Sequence, residues 1–180
     1  IAKKLQLFVP TVIDYINYLE ETFVFFQLPR FSTKQSEINR SPKKIYTADF
    51  ALAKYNSVSL TKNYGYALEN AVFVEFLRKG YFPGRTLFYD KVQDGQEIDF
   101  VTVEKDSSIS LYQVCYSVED DKTLDREVKS LLDYQKNFPK ASKLYLITKD
   151  SSDNKLTTNI NFMGFENFMH PNSTKLPLDR

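Results

Sequence analysis

The sequence is poor in the residues that build the commonest chemical sites. It has one cysteine (Cys115), so neither a disulfide framework nor a thiolate zinc site can be assembled. It has one histidine (His170), which closes off an imidazole-based metal site as well. Any bound metal would have to be a hard cation held by oxygen atoms. Glycine is scarce, with five residues, and neither GxxxxGK[ST] nor GxGxxG can be written from them, so no known phosphate-binding loop is present. Tryptophan is absent, and no apolar run approaches the roughly 20 residues that cross a bilayer. The N-terminus also lacks the apolar stretch of a signal peptide, and the expectation is a soluble, intracellular (cytoplasmic) protein.

Charge is balanced rather than missing. Twenty-four Lys and Arg face 23 Asp and Glu, a net charge of +1, so no overall field advertises a polyanion partner. With 42% apolar residues over 180 positions, the chain can bury a core without covalent staples. Its first residue is Ile1 rather than Met, which suggests a piece of something longer.

The first 49 residues predict a small helical and β segment. Ile1, Ala2 and Leu5 share one face; after Phe8-Val9-Pro10, Val12, Ile13, Ile16 and Leu19 recur at helical spacing, with Pro10 suited to a first turn. The runs Phe23 to Pro29 and Lys43 to Ala48 read as strands on either side of a polar stretch, Ser32 to Ser41. Helix, turn, helix and two strands is the order of a winged helix, although any helix pair packed on a neighbour would look the same. Arg40, Lys43 and Lys44, beside Tyr46, are candidate nucleic-acid-binding residues there; the other reading is solubilising loop charge.

Residues 50–180 form a second unit of mixed α/β type. Tyr64 to Lys79 is the clearest helix, ended by Gly80 and Pro83. On its wheel Glu69 falls between Phe73 and Phe76, where an unpaired carboxylate would need a partner, a cation or a raised pKa, unless it reaches the surface. Strands at Thr86 to Lys91, Glu97 to Glu104 and Ile109 to Val118 predict an antiparallel meander, with Asp94-Gly95 as a hairpin signal. The amphipathic helix Asp121 to Phe138 leads to a buried strand, Lys143 to Thr148, and this crossover places the third and fourth strands parallel and adjacent. Ile160 to Phe162 is a candidate edge strand and Phe165 to Met169 a last short helix.

Asp is a poor strand former, yet Asp99 stands mid-strand in Glu97-Ile-Asp-Phe-Val101, and Gln113 stands mid-run in the next strand. With Glu69, the spacing predicts three acidic or amide groups converging. Arg126, Glu127 and Lys129 read as a solvated helix face with local ion pairs, and Cys115 as a small buried hydrophobe.

These segments together resemble a known family. Tyr18–Pro29, Pro42–Asp49, Leu68–Leu77, Glu97–Val101, Gln113–Tyr116 and Arg126–Val128 are similar to the DUF4143-type C-terminal region of bacterial and archaeal AAA ATPases, within the PD-(D/E)XK nuclease superfamily. The resemblance implies a restriction-endonuclease-like core (helix, three strands, helix, strand) after a truncated winged-helix-like segment, with an ATPase module upstream in the parent chain. It places Glu69 at the family's helix carboxylate, Asp99 at its central Asp, Gln113 at the (D/E) position and Cys115 at the lysine position. In an active nuclease of this type, oxygens at Glu69, Asp99 and Gln113 would hold Mg²⁺. Gln113 removes one negative charge and Cys115 supplies no positive one. The expected function is a nucleic-acid-associated module, with DNA or RNA as partner and a degenerate site. The alternatives are an active Mg²⁺ nuclease with a relocated base, and a protein-interaction or self-assembly domain.

Overall fold

A computed structural model describes residues 2–51, 64–91, 97–117, 121–150 and 159–170. Helices α1 (Ala2–Leu5) and α2 (Val9–Glu21) precede strand β1 (Phe25–Pro29), helix α3 (Gln35–Arg40) and strand β2 (Lys43–Thr47). Helix α4 (Tyr64–Arg78), strands β3 (Leu87–Lys91), β4 (Glu97–Val103) and β5 (Ile109–Cys115), helix α5 (Asp121–Asn137), strands β6 (Ala141–Thr148) and β7 (Ile160–Gly164) and helix α6 (Phe165–Met169) follow. The expected elements are therefore present. The Asp94-Gly95 turn lies outside the described residues.

The main sheet has the order β3-β4-β5-β6-β7. Its first two pairings are antiparallel; β5 with β6 and β6 with β7 are parallel, so the crossover through α5 behaves as the spacing predicts. Ile160 to Phe162 extends to Gly164 and forms the sheet's edge. The molecule is thus mixed α/β with a mixed sheet. One side of the core gathers Val101, Leu111, Leu124, Leu131 and Leu144 under α5; the other gathers Phe73, Phe76, Phe100, Tyr112 and Phe168 under α4 and α6. Gly80 closes α4 at φ +84°, a left-handed conformation that favours glycine, and the Tyr81 N–H reaches back to the Phe76 carbonyl at 3.0 Å.

The β1–β2 hairpin is not a separate body. Leu28 and Tyr46 are fully buried in the α4 side of the core, and Tyr46 stacks on Phe73 with ring centroids 4.3 Å apart. Burying two such side chains contributes on the order of 2 kcal/mol each. The hairpin also reaches the edge of the main sheet: the Phe31 N–H donates to the Tyr89 carbonyl at 2.7 Å, and Arg30 Nε donates to Asp90 Oδ1 at 2.6 Å. Asp90 Oδ2 accepts from the Tyr134 hydroxyl at 2.6 Å, so one buried carboxylate ties hairpin, β3 and α5 together.

Two local expectations change. The polar stretch Ser32 to Ser41 contains α3, because Ile38 turns into the core and Ser32 accepts from the Lys34 N–H at the helix entrance. In α2 only Val12 is buried; Ile13 and Leu19 are exposed, as are Phe8 and Phe23 on either side, since the helix meets the rest of the described chain along a narrow line.

Candidate functional site

The geometry of the site comes from a fork in the sheet. β4 and β5 pair from Val103/Ile109 only as far as Phe100/Tyr112. Beyond that point β4 stays with β3, through Ile98 and Glu97, while β5 stays with β6 as far as Cys115/Thr148. The crevice exposes two backbone groups that a continued ladder would have satisfied, and buried N–H groups must find acceptors. Side chains supply them. The Val114 N–H donates to Asp99 Oδ2 at 3.0 Å, and the Asp99 N–H faces Gln113 Oε1 at 3.4 Å. This explains an Asp in the middle of a strand: its carboxylate replaces a strand partner.

Glu69 approaches the same crevice from α4. Its Oε1 accepts from the Tyr46 hydroxyl at 2.6 Å and from Lys44 Nζ at 2.8 Å. Lys44 also lies 2.8 Å from Glu97 Oε1 and donates to Asp99 Oδ1 at 3.1 Å. One ammonium from β2 therefore joins carboxylates of α4 and β4. The Asn70 side chain locks this arrangement: Oδ1 accepts from the Thr47 N–H and Nδ2 donates to the Thr47 carbonyl, both at 2.9 Å, so α4 holds the end of β2 like a strand neighbour.

On the other side, Gln113 Nε2 donates to Glu127 Oε2 at 2.7 Å. Glu127 Oε1 accepts from Arg126, at 3.1 Å from Nε and 2.6 Å from the terminal nitrogen. The expected convergence holds in this sense: Asp99 bridges to Glu69 through Lys44 and to Gln113 through its own backbone. Cys115 is buried, and its thiol donates to the Ser117 carbonyl at 2.9 Å.

Two readings are corrected by these positions. Lys44, taken as a phosphate-contacting residue with Arg40 and Lys43, has its ammonium among the carboxylates, with the side chain 18% exposed. Arg40, the last residue of α3, and Lys43, the first of β2, are exposed. Glu127, taken as part of a solvated face, is buried because the Gln113 amide needs an acceptor there. Asn70, next to Glu69 on α4, is 1% exposed because β2 docks on it.

Electrostatics follow from burial. Burial pushes the Asp99 carboxyl up, and repulsion from Glu69 adds to it; Lys44 and the Val114 N–H pull the other way, leaving it at about 7. Burial works against the Lys44 charge, but Asp99 and Glu69 outweigh it and the amine's pKa is raised. Burial and the neighbouring Glu69 keep the Tyr46 hydroxyl protonated as a donor. The Cys115 thiol is raised by burial and by Glu127, so it is not a poised thiolate.

The residues present do not fit the divalent cation that the resemblance implies. Asp99 Oδ2 is committed to the Val114 N–H, Gln113 Oε1 faces the Asp99 N–H, and the Lys44 ammonium stands where Glu69 and Asp99 meet. Its Nζ occupies the point 2.8–3.1 Å from the Glu69, Glu97 and Asp99 oxygens, where a shared cation would have to sit. Among the described residues no three His, Cys, Asp or Glu side chains are grouped to hold a metal ion.

A mixed α/β fold with a forked sheet and an ion-paired carboxylate pocket defines the class of protein. The chain belongs to the family described as a domain of unknown function, DUF4143, whose sequence profile matches residues 64–168. Residues 1–63 match a second domain of unknown function, DUF8612. An uncharacterized protein of Methanocaldococcus jannaschii is 34% identical over 120 residues, which cover 66% of this chain and 25% of the relative. An uncharacterized protein of Haemophilus influenzae is 28% identical over 130 residues, covering 72% of this chain and 30% of the relative. The chain thus spans less than a third of the length of these two curated relatives. No solved structure matches it.

Proposed function

We propose that this chain is a nucleic-acid-associated module with a PD-(D/E)XK nuclease-like core that does not cleave, carried by a longer polypeptide with an ATPase. In this reading the five-stranded sheet with α4 and α5 is the restriction-endonuclease-like unit, and α1, α2 and the β1–β2 hairpin are the winged-helix-like remnant. The observation that carries it is the meeting of Glu69, Asp99 and Gln113 at the β4–β5 fork with their oxygens already engaged by the Lys44 ammonium and the Val114 and Asp99 backbone N–H groups. Such a pocket keeps the layout of a phosphodiester-cleaving site while its charges are spent inside the protein.

Support for nucleic acid comes from the rim. Tyr64 begins the helix that carries Glu69 and stacks on Tyr116, one residue past Cys115, with ring centroids 5.1 Å apart. Tyr64 is 48% exposed, and Lys149 Nζ lies 5.7 Å from the Tyr116 ring. An exposed tyrosine backed by a second ring and a cation is a platform on which an unpaired base can stack. Arg40 and Lys43 add exposed positive charge.

The alternative is an active Mg²⁺-dependent nuclease, in which Lys44 would supply the ammonium that Cys115 lacks but would first have to leave the carboxylates it occupies. One experiment separates the readings. Fluorescence anisotropy with labelled single-stranded and duplex oligonucleotides at 20 to 200 mM salt (roughly, the range over which phosphate contacts weaken) should show salt-sensitive binding. Tyr64→Ala should weaken single-strand binding about tenfold. The same oligonucleotides should stay intact with Mg²⁺ or Mn²⁺. Cleavage abolished by Asp99→Asn would replace this reading with the active nuclease, and no binding at low salt would replace it with a protein-interaction or self-assembly domain.

A further inference from the structure

The Lys44 ammonium has three N–H donors and stands within 3.1 Å of three carboxylate oxygens, Glu69 Oε1, Glu97 Oε1 and Asp99 Oδ1. A lysine at a protein surface gains little from such a pair, because water competes and the long side chain loses rotamer freedom. Here the side chain is 18% exposed and the Glu69 and Asp99 side chains 19% and 12%, so water competes poorly. Three acidic side chains this close would repel one another without a cation between them. The cation is not contributed by the sheet or by α4; it is delivered by the hairpin, whose end is fixed to α4 by Asn70 and whose Tyr46 hydroxyl binds the same Glu69 oxygen. Tyr89 closes the remaining side, with its ring centroid 5.6 Å from Nζ.

We infer that Lys44 is the resident cation of this pocket: its tethered ammonium does the charge-neutralising work that a divalent ion would do among Glu69, Glu97 and Asp99, so the site is built to be complete without metal. This deepens the nuclease-like reading of the same site by naming what took over the cation's place. A covalently attached cation cannot be diluted, chelated or exchanged. The pocket's shape should therefore be indifferent to chelator and to divalent ions, whereas removing the ammonium leaves the same carboxylates unneutralised, so that a divalent ion would gain by drawing them together.

The experiment measures Mn²⁺ binding by electron paramagnetic resonance and thermal midpoints with and without Mn²⁺, in the absence of nucleic acid, on the wild-type chain and on Lys44→Met. The wild type should show no saturable Mn²⁺ binding at low millimolar metal, and EDTA should leave its midpoint unchanged. Lys44→Met should bind Mn²⁺ at least tenfold more tightly than the wild type and be stabilised by it, and adding Asp99→Asn should abolish that gain. Saturable wild-type binding that Asp99→Asn removes would overturn the inference, as would a folded Lys44→Met variant that binds no more Mn²⁺ than the wild type. Should Lys44→Met not fold without metal, recovery of its far-ultraviolet dichroism on adding Mn²⁺ is the expected result, and failure to recover with Mn²⁺ overturns the inference. Because no nucleic acid is present, failure here leaves the oligonucleotide-binding result standing, and failure of that result leaves this one standing.

Discussion

Replacing Lys44 by methionine keeps most of the side-chain volume and removes the charge, leaving Glu69 and Asp99 facing each other. Taking one partner from a buried ion pair costs about 3–5 kcal/mol, and the low end applies here because Glu97 is about a third exposed and can turn to water. The expected loss at pH 8 is about 3 kcal/mol. It should depend on pH in a defined direction. Asp99 is raised to about 7 in the folded protein, against about 3.9 in an unfolded chain. A carboxyl raised on folding contributes stability that is present below the unfolded value and lost as pH rises through the folded one. Without Lys44 the Asp99 pKa rises further, so the variant loses more stability than the wild type between pH 5 and pH 8. At pH 5 Asp99 carries its proton in both proteins and the deficit should shrink to about 1–2 kcal/mol, what remains from the lost Lys44 contacts with Glu69 and Glu97. Urea unfolding followed by far-ultraviolet dichroism at pH 5 and pH 8 measures both numbers. A deficit under 1 kcal/mol at pH 8, or one equal at the two pH values, refutes the reasoning.

Asn70→Ala should cost about 2–3 kcal/mol, since it strands the buried Thr47 N–H and carbonyl together, and hydrogen exchange should report the Thr47 amide as the site of greatest loss. Tyr134→Phe leaves Asp90 Oδ2 without its donor in a buried setting and should cost about 1–2 kcal/mol by urea unfolding; an unchanged midpoint would mean that Arg30 and the Lys91 N–H suffice for Asp90. The Cys115 thiol, raised by burial and 5% exposed, should react with iodoacetamide at pH 8 more than about tenfold slower than glutathione, measured by mass spectrometry; equal rates would show that the β5 edge opens readily.

What could be read from the residues divides by distance along the chain. Period-two and period-3.6 patterns located the strands and helices, and the strand, helix, strand spacing gave the parallel pairing of β5 with β6. Asp99 and Glu69 announced themselves because each sits in the wrong company for its element. Lys44 did not: its partners lie 25 and 55 residues away, and a lysine beside another lysine on a short strand looks like surface charge. Glu127 was hidden for the same reason, since only the Gln113 amide, 14 residues earlier, explains its burial. Asn70 falls off the apolar arc of α4, yet that flank is where β2 docks, which no single-helix wheel can display. Helix α3 leaves no amphipathic pattern because one buried residue, Ile38, carries its inward face.

The fork between β4 and β5 has a practical consequence for genetics. Alanine at position 99 would do two things at once: delete an acidic group and leave the Val114 N–H with nothing to bond to where two strands part. A null phenotype from that allele would report on the seam of the sheet as much as on chemistry. Asparagine at the same position keeps an oxygen for the seam while discarding the charge, so the contrast between the two alleles, rather than either alone, separates architecture from activity in a living cell.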